Sequence, residues 1–199
     1  MKKIFLLLAV VLPMLLFAQD NSEKEQTTYE RFISPKGSII KLCDYALDDL
    51  LGHLGSGLFK LNYRAEAVIR KVTVNGDSDF YLLLTYYRGE NLETKAFITY
   101  DNIVELLRAW NELKSRAQDD TIGDAKYSEQ KFKTKFDYLS EGYYIEKKEK
   151  KKGVYEENKV WFLDLDTRFS NSTMFFDEPE AVTNCFKSAI DLIDQLRAK

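Results

Sequence analysis

The chain has 199 residues, of which 45% are hydrophobic, 14% aromatic and 31% charged, with a formal net charge of −3. That length suits one domain or two small ones, with enough apolar residue to build a core. The acidic balance argues against nucleic acid and anionic membrane surfaces, which reward dense Lys and Arg, and two cysteines with one histidine are too few for the usual four-ligand structural zinc site.

In chain order, Lys2 and Lys3 precede an apolar run over residues 4–17, and Ala18 supplies the small residue that signal peptidase needs. The run falls short of the ~20 apolar residues that span a bilayer. Residues 1–18 are therefore expected to be a cleaved bacterial signal peptide. The mature protein is expected to be periplasmic or secreted and not membrane-spanning after cleavage. Residues 19–33, polar and charged, are expected to be a flexible leader, with a single α+β domain over 34–199.

From Ser38 the apolar residues Ile39, Leu42, Cys43, Ala46, Leu47, Leu50, Leu51 and Leu54 recur at spacings of three and four, which predicts a helix capped by Ser38. Gly52, Gly55 and Gly57 then read as its exit turn. A phosphate-binding glycine loop would instead follow a strand and open a helix. A β-branched run over 65–74 ends at Asn75-Gly76, a strong hairpin signal, and 80–87 reads as a central strand. Residues 95–100 return the chain. Asp101 is then expected to cap a helix with Ile103, Leu106, Leu107, Trp110 and Leu113 on its apolar face, followed by a polar connection over 115–129.

Phe132, Phe136 and Tyr138 alternate with Lys131, Lys133 and Lys135, a strand with one wet face. Gly142 bends the chain into 143–152, Gly153 turns it, and strands are expected at 159–165 and 173–176. Asp177, with Pro179 and Glu180, predicts a capping box for the last helix. Two stretches read alike: a glycine, two strands, an aspartate cap and an aromatic nine residues later, Trp110 in one and Phe186 in the other. The expected fold is α+β: antiparallel meanders with helices on one sheet face, in the order α-βββ-α-βββ(β)-α, with a pseudo-repeat over halves 34–118 and 129–199. In element order this layout resembles the tandem sheet-plus-helix proteins such as the secreted beta-lactamase-inhibitor proteins, and the helix–meander–helix shape of secretion chaperones.

Little in the sequence reads as catalytic chemistry. Ser38-Ile-Ile-Lys41 matches the Ser-x-x-Lys of penicillin-binding enzymes, but Ser-Asp-Asn and Lys-Thr-Gly are missing. His53 has no Gly-x-Ser-x-Gly to serve. Residues 75–79 resemble the start of a calcium loop whose twelfth position is Tyr86 instead of an acid. Asp164 and Asp166 alternate on a strand and offer a carboxylate pair for a small envelope hydrolase. Cys43 and Cys185 are candidates for a disulfide in an oxidising compartment. The favoured reading is a non-enzymatic exported protein that binds another protein of the envelope or outside, without cofactor or metal. Its expected contact surface is an open sheet face carrying Lys131, Lys133, Lys135, Tyr143 and Tyr144.

Overall fold

The computed structural model describes residues 26–54, 61–88, 92–168 and 172–199. The predicted signal peptide lies outside the described residues. The elements run α1 (Thr28–Ile33), β1 (Ile40–Ala46), β2 (Leu50–Leu54), β3 (Leu61–Val74), β4 (Asp77–Arg88), β5 (Leu92–Thr99), α2 (Tyr100–Asp119), β6 (Tyr127–Lys133), β7 (Ser140–Lys151), β8 (Val154–Asp164), β9 (Thr173–Phe176) and α3 (Glu180–Arg197). The class is α+β, as composition and patterning predict.

All strands among the described residues belong to one antiparallel sheet in the order β5-β4-β3-β2-β9-β8-β7-β6, with β1 paired to β3 beside β2. The two meanders therefore lie in the same direction along the sheet, and the first strand of one meets the last strand of the other. That seam between β2 and β9 is short, with His53 opposite Phe175. Helix α2 packs against β4 and β5 near one end of the sheet and against β6 and β7 near the other. The sheet thus curls around its helices, and α3 fills the remaining space against α2, β2 and β3.

The inward residues follow strand alternation. Ala65, Ala67 and Ile69 of β3, Leu82, Leu84 and Tyr86 of β4, and Tyr143 and Ile145 of β7 join Trp110, Leu106 and Phe186 of the helices in one core. Trp110 binds its surroundings together. Its ring lies 5.2 Å from that of Trp161, and its Nε1–H donates to the Pro179 carbonyl at 3.0 Å, tying α2 to the entry of α3.

The helix predicted over 38–54 is two strands. Its apolar spacing also satisfies period two, and Ile40–Ala46 finds a full register on β3, with Ile40 opposite Val74 and Ala46 opposite Val68. Long-range pairing overrides a weak local preference. Ser38 consequently caps no helix; its hydroxyl accepts from Asn75 Nδ2 at 3.1 Å. Gly52 is a strand residue, where a Cβ would lie 2.9 Å from the Phe175 carbonyl oxygen, while Gly55 and Gly57 lie outside the described residues.

Part of the predicted flexible leader is ordered. Thr27 and Glu30 form a reciprocal capping box at α1. Tyr29 stacks on Phe97 at 3.6 Å and meets Tyr81 edge-on at 5.2 Å. With Phe32 and Ile33, this short helix covers Val72, Val74 and Tyr81 on the sheet face opposite the long helices. That face is therefore not wet throughout.

The caps also move. Thr99, not Asp101, caps α2, accepting from Asn102 N at 3.2 Å, and α2 runs on to Asp119. No side chain caps α3; Glu180 pairs instead with Lys114 at 2.9 Å. The Asn75-Gly76 hairpin forms as predicted, with both residues in the left-handed region at φ 53° and 103°.

Gly142, expected to bend the chain, instead lies within β7, opposite Lys131 of β6. A methyl there would sit 2.2 Å from the Gln130 carbonyl oxygen and 2.9 Å from Lys131 Cα, both backbone atoms. The Gly142→Ala variant is expected to lose about 2–3 kcal/mol of stability through forced strand separation. Thermal unfolding should register this as a fall of roughly 5–10 °C in Tm.

Candidate functional site

The two long helices occupy the inner face of the sheet, so binding groups must come from the outer face or from loops at its ends. Cross-strand register assigns each residue to a face, because paired residues share one. On β6 and β7, Gln130 opposes Tyr143, Glu129 opposes Tyr144 and Tyr127 opposes Glu146. On β8 and β9, Phe162 opposes Phe175, which in turn opposes His53.

These registers collect His53, Phe175, Phe162, Tyr144 and Tyr127 on the outer face, a row of rings running across five strands. The His53 and Phe175 rings lie 6.3 Å apart. Phe175 and Tyr144 meet edge-on at 6.2 Å, and Tyr144 stacks on Tyr127 at 5.6 Å. The row grades from closed to open: His53 is 5% exposed and Tyr127 53%. At the open end, Tyr127 donates its hydroxyl to Glu129 at 2.7 Å. Lys131 and Lys133 continue the same face along β6, with Lys131 paired to Glu129.

Of the residues expected at a contact face, Tyr144, Lys131 and Lys133 are brought together. Tyr143 is not. It points inward and is fully buried, 5.1 Å from the Trp161 ring, and its hydroxyl donates to Asp120 at 2.6 Å. Alternation forbids two consecutive strand residues from sharing a face. Tyr127, Phe175 and His53 join the row only through tertiary pairing; their individual strands carry no sign of it. Lys135 lies past the end of β6, its ammonium over the Phe136 ring at 5.2 Å.

The loop over residues 134–139 carries an unusual backbone. Asp137 and Tyr138 are consecutive non-glycine residues in the left-handed region, at φ 66° and 56°. Such conformations cost on the order of 1–3 kcal/mol each and persist only where their surroundings impose them. Here the constraints are explicit. The buried Asp137 carboxylate accepts from Thr28 N at 2.6 Å and from Asn102 Nδ2 at 2.7 Å, so it joins the N-terminal turns of α1 and α2. Thr134 N donates to the Leu139 carbonyl at 3.0 Å and Thr167 N donates to the Tyr138 carbonyl at 2.7 Å. The Arg168 guanidinium lies over the Tyr138 ring at 4.3 Å.

Asp164 and Asp166 do not form an open acid pair. The strand ends at Asp164, so the two do not share a strand face. Asp166 takes a bidentate grip from Arg168, at 2.8 and 2.6 Å. Asp164 accepts from the Ser172 hydroxyl at 2.5 Å and from Asp166 N at 3.3 Å, and burial raises its pKa above the usual aspartate range. Both carboxylates shape the loop after β8.

His53 lies 3.4 Å from Asp177 through Nε2 and Oδ1. Cys43 opposes Lys71 on the inward face whereas His53 opposes Asn62 on the outward one, so they form no thiol–imidazole pair. The candidate disulfide is not formed: Cys43 and Cys185 are free thiols, and burial pushes the Cys185 thiol up to about 12. Among the described residues no group of three or more His, Cys, Asp or Glu is placed to hold a metal ion, and no helix is long and apolar enough to cross a membrane.

One buried acid escaped the sequence reading. Glu141 of β7 is fully buried on the inner face between Phe132 and Leu163, and neither carboxyl oxygen has a hydrogen-bond partner among the described residues. Burial pushes its pKa up to about 9, opposed only by the Trp110 amide. Its signature in sequence is a glutamate on the same alternation as Tyr143 and Ile145, visible only once the register is known. Comparison with known protein families, curated proteins and solved structures gives no match.

Glu141 makes stability depend on pH in a defined direction. A carboxyl whose folded pKa lies above its unfolded value favours folding most fully below about 4.5, and that contribution drains away as pH rises toward about 9. By pH 7 the loss is about 3 kcal/mol at 1.36 kcal/mol per pH unit. Denaturant titrations across pH 5–8 should therefore show wild type losing stability relative to Glu141→Gln as pH rises. Parallel curves for the two proteins would contradict a buried, neutral Glu141.

Proposed function

We propose that this is an exported, non-enzymatic protein that binds another protein of the cell envelope or exterior through the outer face of β6–β9. The observation that carries this reading is the aromatic row with its open end at Tyr127 and Tyr144, bordered by Lys131 and Lys133. Tyrosines held rigid by stacking present large contact area at low entropic cost, and ring clusters of this kind dominate protein interfaces. Long helices close the inner face, so a partner meets the sheet from the outside. The basic n-region, apolar run and Ala18 support export. In the alternative, a carboxylate-dependent hydrolase, Asp164 and Asp166 would act on substrate, yet both are engaged in holding their own loop.

Affinity capture from envelope extract tests the reading through variants. The Tyr127→Ala/Tyr144→Ala double variant should capture its specific partner roughly thirtyfold less well than wild type, because truncating ring anchors at an interface costs about 2 kcal/mol or more. Asp164→Asn should capture it normally. The reverse pattern would sink the proposal and favour carboxylate chemistry.

A further inference from the structure

At the opposite end of β6 from Tyr127, Arg31 of α1, Lys133 of β6 and Lys135 of the following loop line one crevice of about 100 Å³. Three cations share this small space, and among the described residues none has a carboxylate within ion-pairing distance. Arg31 reaches only the Thr28 hydroxyl, and Lys135 only the Phe136 ring. The acid that does line the crevice, Asp137, is 8% exposed and spends its two oxygens on Thr28 N and the Asn102 amide. The crevice is also a held shape. Its rim is the 134–139 loop, whose left-handed Asp137 and Tyr138 are pinned by Thr28, Asn102 and Thr167. Phe136, 48% exposed, stands at the mouth.

We propose that this crevice is a carboxylate-binding subsite, which takes an acidic side chain or the C-terminal carboxylate of a polypeptide lying along the outer face. It rests on the reading of that face as a protein-binding surface. Three cations lining one crevice carry more positive charge than the Asp137 carboxylate balances, and one further carboxylate relieves that excess while accepting from guanidinium and ammonium donors together. The volume fits a carboxylate-sized group and excludes a whole small-molecule ligand of drug size. Lys133 belongs to both the crevice and the outer face, so a bound chain can contact Tyr127 and Tyr144 while its carboxylate enters the crevice.

The test uses three blocked peptides of equal length added to the isotopically labelled protein and followed by amide NMR. One carries a single central Glu, one has its C-terminal carboxylate as the only charge, and one is uncharged. The expected result is that at least one charged peptide shifts the amides of Arg31 and residues 133–139 while the uncharged peptide does not; which one binds identifies the source of the carboxylate. Lys133→Gln/Lys135→Gln should weaken that binding by about tenfold or more, and Arg31→Gln likewise. All three side chains are exposed, so these variants should fold, and an unchanged amide spectrum away from the loop verifies it. The subsite is overturned if neither charged peptide shifts the loop, if the uncharged one shifts it equally, or if the Gln variants bind as wild type does. Partner capture separates this from the broader reading. Capture that needs Tyr127 and Tyr144 but ignores Arg31, Lys133 and Lys135 leaves the binding face standing and removes the subsite. Peptide binding that survives in a protein whose tyrosines do not matter for capture leaves the subsite and removes the face.

Discussion

The indole of Trp110 is the contact on which the arrangement turns. It belongs to α2, the helix that follows the first meander, yet it packs on Trp161 in the second meander and donates to Pro179 at the entry of α3. A buried indole needs both apolar surroundings and a partner for its N–H. Here both come from the second half of the chain, so α2 cannot satisfy Trp110 without being drawn across the seam. The short β2–β9 pairing would be a weak joint by itself; helix packing on the inside makes the two meanders one sheet. Glu141 sits under the same helix and is a cost of that closure: curling the sheet around α2 leaves a buried carboxyl that only the Trp110 amide approaches.

Committing the long helices to the inner face decides what the outer face is free to do. Near β3–β5 that face is covered by α1, whose Tyr29 stacks on Phe97. Across β6–β9 it carries rings. Because those rings support each other from strand to strand, Tyr144 and Tyr127 are held in place before any partner arrives, and preorganisation of that kind spares a complex part of its entropic cost. The same economy applies to the loop at the far end of β6. Asp137 holds two helix N-terminal turns and a strained backbone together.

Much of the architecture was legible from residue patterns. The Asn75-Gly76 hairpin, the turn at Gly153, the central strand around residues 80–87, the two long helices and the wet lysine edge of β6 all announce themselves through local chemistry. The region 38–54 did not, because its apolar residues satisfy the helical and the strand period at once, and β3 broke the tie by offering seven consecutive partners to β1. The caps misread for a related reason. Asp101 and Asp177 are good capping residues by type, but Thr99 had the better-placed oxygen and Asp177 lies beside His53. A capping box was present in the chain after all, at Thr27 and Glu30, in a stretch whose polarity suggested a mobile leader.

By itself the sequence determined the class of fold, the direction in which most strands turn, and the surface on which charge accumulates. These follow from the alternation of side chains and from turn chemistry, which act over a few residues. Only the tertiary structure decided which face each tyrosine takes, that Tyr144 joins Tyr127 and Phe175 while Tyr143 enters the core, and that Asp164 and Asp166 serve a loop. It also decided that Arg31 meets Lys133 and Lys135, about a hundred residues further along. Register is a property of pairs of strands, and a one-residue slip exchanges every inward side chain for an outward one. No single strand contains that information, so the aromatic row exists only once β2, β9, β8, β7 and β6 have been laid side by side.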